Sequence, residues 1–160
     1  MRALLGFGLF LLPSIIWAFP FDQYPQDDLE QLVDSVDQEA ISKNIQLEKR
    51  YAYLPAVRKS SVVEYTGKYR DTTDANKKFL SDLIKSFPFI PKQQTDLYTK
   101  EILVKVGNRK IWALTQGRVF GFLDKELKVG ENFKIFYFWF GANQHDHIIA
   151  INEFLAPKRN

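Results

Sequence analysis

The run Phe133-Lys134-Ile135-Phe136-Tyr137-Phe138-Trp139-Phe140 holds a single polar side chain, that of Lys134. Side chains alternate between the two faces of a strand, so both faces of this segment are apolar. A half-exposed antiparallel strand would alternate with polar residues instead. The chain must therefore form an interior on one side of this strand and a cover on the other. The pattern predicts that one face fills a barrel while a helix carrying Phe79, Leu83 and Phe87 lies over the other. The competing expectation leaves Phe136, Phe138 and Phe140 exposed with Trp112, as a platform for stacking on a sugar, base or peptide.

The surrounding sequence supplies partners for that strand. Ile102, Val104 and Val106 alternate, Gly107-Asn108 is a two-residue turn, and Ile111 to Thr115 reads as the return strand. Val119 to Leu123 is expected as a third strand, Phe133 to Phe140 as a fourth and His147 to Phe154 as a fifth. Two helices are expected before them. In one, from about 27 to 48, Leu29, Leu32, Val33, Val36 and Ala40 recur at helical spacing behind Asp27 and Glu30. In the other, 73 to 86, Phe79, Leu80, Leu83 and Ile84 recur, and Pro88 and Pro91 end the pattern. Ser61 to Tyr69 is also β-prone. The fold class is thus α+β, a small five-stranded antiparallel β-barrel at the C-terminus preceded by two helices. OB-like and SH3-like barrels both have five strands, and the sequence does not separate them.

The first 18 residues read as a secretory signal peptide: Arg2, then an apolar run from Ala3 to Trp17, then Ala18 before the cut. That run is shorter than the ~20 apolar residues of a bilayer span, and nothing later is long enough to span after its removal. The chain has no Cys and no Asn-x-Ser/Thr site. Small exported eukaryotic domains lean on disulfides, so these features favour a bacterial protein, periplasmic or secreted. The division expected is 1–18 signal peptide, 19–50 acidic amphipathic helical segment, and 51–160 helix plus barrel. Between Phe19 and Ser42 lie seven carboxylates and no Lys or Arg, whereas from Lys43 onward 21 basic residues face 12 acidic ones. The acidic segment either screens a basic body or lies apart from it.

No motif carries an enzymatic reading. Without Cys there is no thiol chemistry, and no serine sits in G-x-S-x-G. Phosphate-cradling glycine loops, H-E-x-x-H and EF-hand spacing are all missing. His145 and His147 point to one side of a strand and are the candidate metal ligands, though no third ligand is evident. Trp112, Phe138 and Phe140, with Arg109, Lys110 and Arg118, are the candidate ligand-binding residues, because aromatics beside cations suit an anionic ligand. Compartment argues against nucleic acid. The leading expectation is a non-enzymatic binding module of the bacterial envelope or secretome, with no cofactor, whose partner is a protein or an anionic envelope polymer. The alternatives are a structural or assembly protein docking through Leu29, Leu32 and Val36, and a metal-dependent enzyme at His145 and His147. The oligomeric state is not legible.

Overall fold

The computed structural model describes residues 19–43, 57–86, 96–142 and 146–159. Five strands form the closed barrel: β1 (Val57–Asp71), β2 (Tyr98–Val106), β3 (Arg109–Gln116), β4 (Asn132–Ala142) and β5 (His147–Leu155). Their order around the barrel is β1-β2-β3-β5-β4. Among the described residues three α-helices accompany them: α1 (Leu29–Ser42), α2 (Asp74–Ser86) and α3 (Gly117–Glu126).

Closure depends on β1, which is 15 residues long and serves two neighbours. Its first half, Val57 to Glu64, runs antiparallel to β4, while Glu64 to Asp71 runs antiparallel to β2. The change of partner comes at Glu64, which faces both Asn132 and Lys105; just beyond it the register with β2 shifts between Tyr65 and Tyr69, where Gly67 takes a φ of +72° that residues with a Cβ rarely adopt. The lead-in to α1 covers the open edge of the first half. There Ser60 N–H donates to the Pro25 carbonyl (2.9 Å) and Asp27 N–H to the Ser60 carbonyl (2.8 Å), which leaves no bare strand edge at that point.

Several expectations from sequence are corrected. Val119 to Leu123 is not a strand but the body of α3. Val119, Leu123 and Leu127 recur every four residues and are buried, so the helical period wins over the local alternation. The fifth strand is β1, which includes the β-prone stretch at 61–69, and α2 is inserted between β1 and β2 rather than preceding the sheet. The barrel is mixed, not purely antiparallel: β3 and β5 are parallel, with Ala113, Leu114 and Thr115 beside Ile149, Ala150 and Ile151. The first helix begins two residues later than expected. Asp28, not Asp27, is its N-cap, accepting from the Gln31 N–H at 3.1 Å. The expected end of that helix, at 44–48, lies outside the described residues, as do Phe87 and His145.

The interior holds Val63 and Tyr65 from β1, Ile102 and Val104 from β2, Ala113 from β3, Phe133, Ile135, Tyr137 and Trp139 from β4, and Ile149 and Ile151 from β5. The two ends are plugged by different helices. β3 starts at Arg109, which is ion-paired to α1, and leads at Gln116 directly into α3. Leu29 and Val33 of α1 therefore close one end, and Val119 and Leu123 of α3 the other. A second cluster lies outside the barrel, where Phe79, Leu80 and Leu83 of α2 cover Leu114, Ile148, Ala150 and Phe140. This arrangement explains the strand that is apolar on both faces: its odd-numbered residues fill the barrel, while on the other face Phe136 and Phe140 are covered and Phe138 is half-buried. Among the described residues, no helix is long and apolar enough to cross a membrane.

Candidate functional site

The six ligand-binding candidates and His147 fall at three separate places on the barrel. The first is the end plugged by α1. There Arg109 pairs with Asp34 at 2.6 Å and Asp37 at 2.7 Å, and the Asn108 N–H donates to Glu30 at 3.3 Å. Lys59 pairs with Asp27 at 2.9 Å. The acidic segment thus sits on the basic hairpin and screens it. His147, nine-tenths buried, has its Nε2 at 3.0 Å from Asp37 Oδ1. Its Nδ1 is buried with no partner among the described residues. With Nε2–H donating to Asp37, a proton on Nδ1 would meet no acceptor and would sit beside Arg109. Burial holds the imidazole pKa below its ordinary value, against the opposing pull of Asp37. A cleft of about 180 Å³ opens here, lined by Val33, Arg109, Lys110, Ile111, Asp146 and His147. Among the described residues no group of three His, Cys, Asp or Glu side chains could hold a metal ion.

The second place is the outer face of β2 and β3. Ile111 and Ala113 point inward, so Lys110 and Trp112 point outward, beside Lys105 and Leu103 of β2. Trp112 and Leu103 are half-buried and Lys110 is exposed. The Arg70 guanidinium lies 4.1 Å from the Trp112 ring centroid, a close cation–π stack. Arg70 is held there by Glu101, a carboxylate with no solvent exposure. Glu101 Oε2 accepts from Arg70 Nε at 2.7 Å. Its Oε1 accepts from Thr73 N–H at 2.9 Å, Thr73 Oγ1 at 3.1 Å and Asn76 Nδ2 at 2.8 Å. These donors come from the first turn of α2 and the residue before it, so the helix dipole also favours the charge. Burying a carboxylate is costly unless its oxygens are hydrogen-bonded, and here both are. The outcome is a tryptophan whose position is fixed by a fully satisfied network behind it. Lys105 is paired with Glu64 at 3.0 Å, whereas Lys110 has no carboxylate partner among the described residues.

The third place is the outer face of β4 and β5, which carries Phe136, Phe138 and Phe140 in one row. Phe140 is buried beneath α2, its ring 6.4 Å from that of Phe79. Phe136 is buried beneath Phe21, at 4.7 Å, and Phe19, at 5.7 Å. Phe138, between them, is half-buried. The exposed platform expected as the competing reading of this strand is therefore not present: Phe136 and Phe140 are core residues, and Trp112 lies on β3, with β5 between it and β4. Arg118, at the start of α3, donates through Nε to Gln116 Oε1 at 2.9 Å.

Leu29, Leu32 and Val36 face this chain's own barrel. Leu29 is fully buried, and Leu32 and Val36 pack against the core. Sequence reasoning missed Arg58, Arg70, Glu101 and Asp37, whose importance depends on pairings 31 to 110 residues apart in the chain. The one signal available was Glu101 itself, a charge interrupting an apolar strand. Comparison with known proteins names no family, since neither any family model nor any curated protein matches the chain.

Proposed function

We propose that this chain is an exported, non-enzymatic binding module of the bacterial envelope or secretome, and that its ligand is an anionic envelope polymer. The barrel is read as OB-type rather than SH3-like: β3 and β5 are parallel and a helix joins β3 to β4. Barrels of that type bind oligosaccharides and oligonucleotides across the β2–β3 face, flanked by the β1–β2 and β4–β5 connections. Export makes nucleic acid the poorer candidate. Fold by itself does not carry function, so the reading rests on the face.

The single observation that carries it is the outer face of β2 and β3, where Trp112 is clasped by Arg70 with Lys105 and Lys110 alongside. α2 lies over β3, β5 and β4, and α1 and α3 plug the ends, so this face keeps a half-exposed aromatic next to an unneutralised lysine. A fixed ring offers stacking surface at low entropic cost, and the lysines supply attraction to a polyanion.

The test is binding of soluble peptidoglycan fragments against neutral dextran, by calorimetry at two salt concentrations. Trp112→Ala is expected to weaken binding about tenfold, the worth of one stacking contact. Lys110→Gln is expected to weaken it severalfold and to flatten the salt dependence. Equal binding of dextran, or unchanged binding by both variants, contradicts the reading.

A further inference from the structure

The cleft at the end plugged by α1 carries charges of both signs on its lining. β3 and β5 run parallel, with Ala113 beside Ile149. Carried back along both strands, that register sets Ile111 beside His147 and Lys110 beside Asp146. All four line the cleft, together with Arg109 and with Val33 of α1. Val33 and Ile111 are buried and supply an apolar floor. The volume of about 180 Å³ matches about six waters at ~30 Å³ each, so an occupant has few atoms.

The walls are fixed before any ligand arrives. Arg109 is held by Asp34 and Asp37, so its charge is already neutralised. His147 Nε2 lies 3.0 Å from Asp37 Oδ1, which ties β5 to α1. Burial lowers the His147 pKa, so at neutral pH the ring adds no charge of its own. The character of the cleft is then set by the Lys110 ammonium and the Asp146 carboxylate. A simple anion entering here meets Asp146 as well as Lys110, and a simple cation meets Lys110 as well as Asp146. Each is attracted and repelled at once. A molecule with both charges on a short frame can set its carboxylate against Lys110 and its ammonium against Asp146.

We propose that this cleft binds a small zwitterion, a free α-amino acid with a short side chain, whose apolar part lies against Val33 and Ile111. The site does not rest on the reading of the β2–β3 face, because its ligand is no polymer, although Lys110 borders both.

Calorimetric titration of the purified full-length protein with alanine tests this, with propionate and ethylamine as analogues that each lack one of the two charges. Saturable binding of alanine is expected, with each analogue about fivefold weaker or worse, the worth of one partly exposed ion pair. Lys110→Gln and Asp146→Asn are each expected to weaken alanine by about the same factor. They should also shift the preference in opposite directions. Asp146→Asn narrows the gap between alanine and propionate, and Lys110→Gln narrows the gap between alanine and ethylamine. A merely structural role for either side chain would weaken all three ligands together. Amide NMR should place the alanine-induced shifts at Lys110, Ile111, Asp146 and His147, and circular dichroism of each variant should match the parent. Failure of peptidoglycan fragments to bind would leave these expectations unchanged. Absence of saturable alanine binding, equal affinity for propionate or ethylamine, an unchanged preference in both variants, or shifts confined to other residues overturns the proposal.

Discussion

Truncating Leu29 to alanine asks whether the acidic helix is part of the barrel or an appendage to it. Leu29 is the first residue of α1, its side chain has no solvent exposure, and its N–H donates to Ser61 Oγ of β1 at 3.3 Å. It shares one core cluster with Val63 and Val106. Removing a fully buried leucine side chain costs about 2–5 kcal/mol, through lost transfer energy and the cavity left behind. Taking about 3 kcal/mol, and a urea slope of about 1–3 kcal/mol per molar for a domain of this size, the unfolding midpoint falls by about 1–3 M. Ile41 of the same helix is 67% exposed, so Ile41→Ala should move the midpoint hardly at all. The assay is urea unfolding followed by tryptophan fluorescence, with Trp139 in the barrel interior as the reporter. A midpoint in Leu29→Ala equal to that of Ile41→Ala would refute the argument, because the barrel would then fold without sensing α1.

Two further outcomes follow from the polar groups. His147 is held below its ordinary pKa by burial, so the unfolded chain binds its proton more readily than the native one, and stability falls as pH drops through the ordinary imidazole value. Comparing urea midpoints at about pH 7.5 and about pH 5.5, the loss should be larger in the parent than in His147→Gln; Asp37, Arg109 and Asp146 face the ring in both. Glu101→Ala strands the Thr73 and Asn76 donors and frees Arg70, whose side chain is 37% exposed and can rehydrate, so a cost of about 2–4 kcal/mol is expected, with Glu101→Gln losing less. An equal loss in Glu101→Gln and Glu101→Ala would show that the charge itself, rather than the filled acceptor positions, matters there.

Part of this molecule was legible in the sequence because it depends on local periodicity. Phe79, Leu80 and Leu83 announce α2 as the cover for a doubly apolar strand, and the Gly107-Asn108 turn announces the β2–β3 hairpin. Short windows misled where two periods coincide. Val119-Phe120-Gly121-Phe122-Leu123 alternates like a strand, but Leu127 extends the spacing of Val119 and Leu123 into a helical stripe. β1 was hard to see because it changes partner along its length: exposed residues such as Val62 and Tyr69 break its alternation. The candidate sites were less legible still. Arg109 and Arg118 look alike in sequence, yet one is neutralised by α1, some 72 residues away in the chain, and the other is held by its near neighbour Gln116. Which charges survive pairing is a property of the fold, and sequence composition alone could not supply it.

An anionic polymer bound on the β2–β3 face would lie against Trp112. The most direct measurement replaces Trp139 and Trp17 by phenylalanine, so that Trp112 is the one remaining fluorophore of the three tryptophans, and titrates soluble peptidoglycan fragments. A saturable change in Trp112 emission that weakens with salt and with Lys110→Gln is expected. Binding that leaves Trp112 emission unchanged, or a change that neither salt nor Lys110→Gln diminishes, would contradict it.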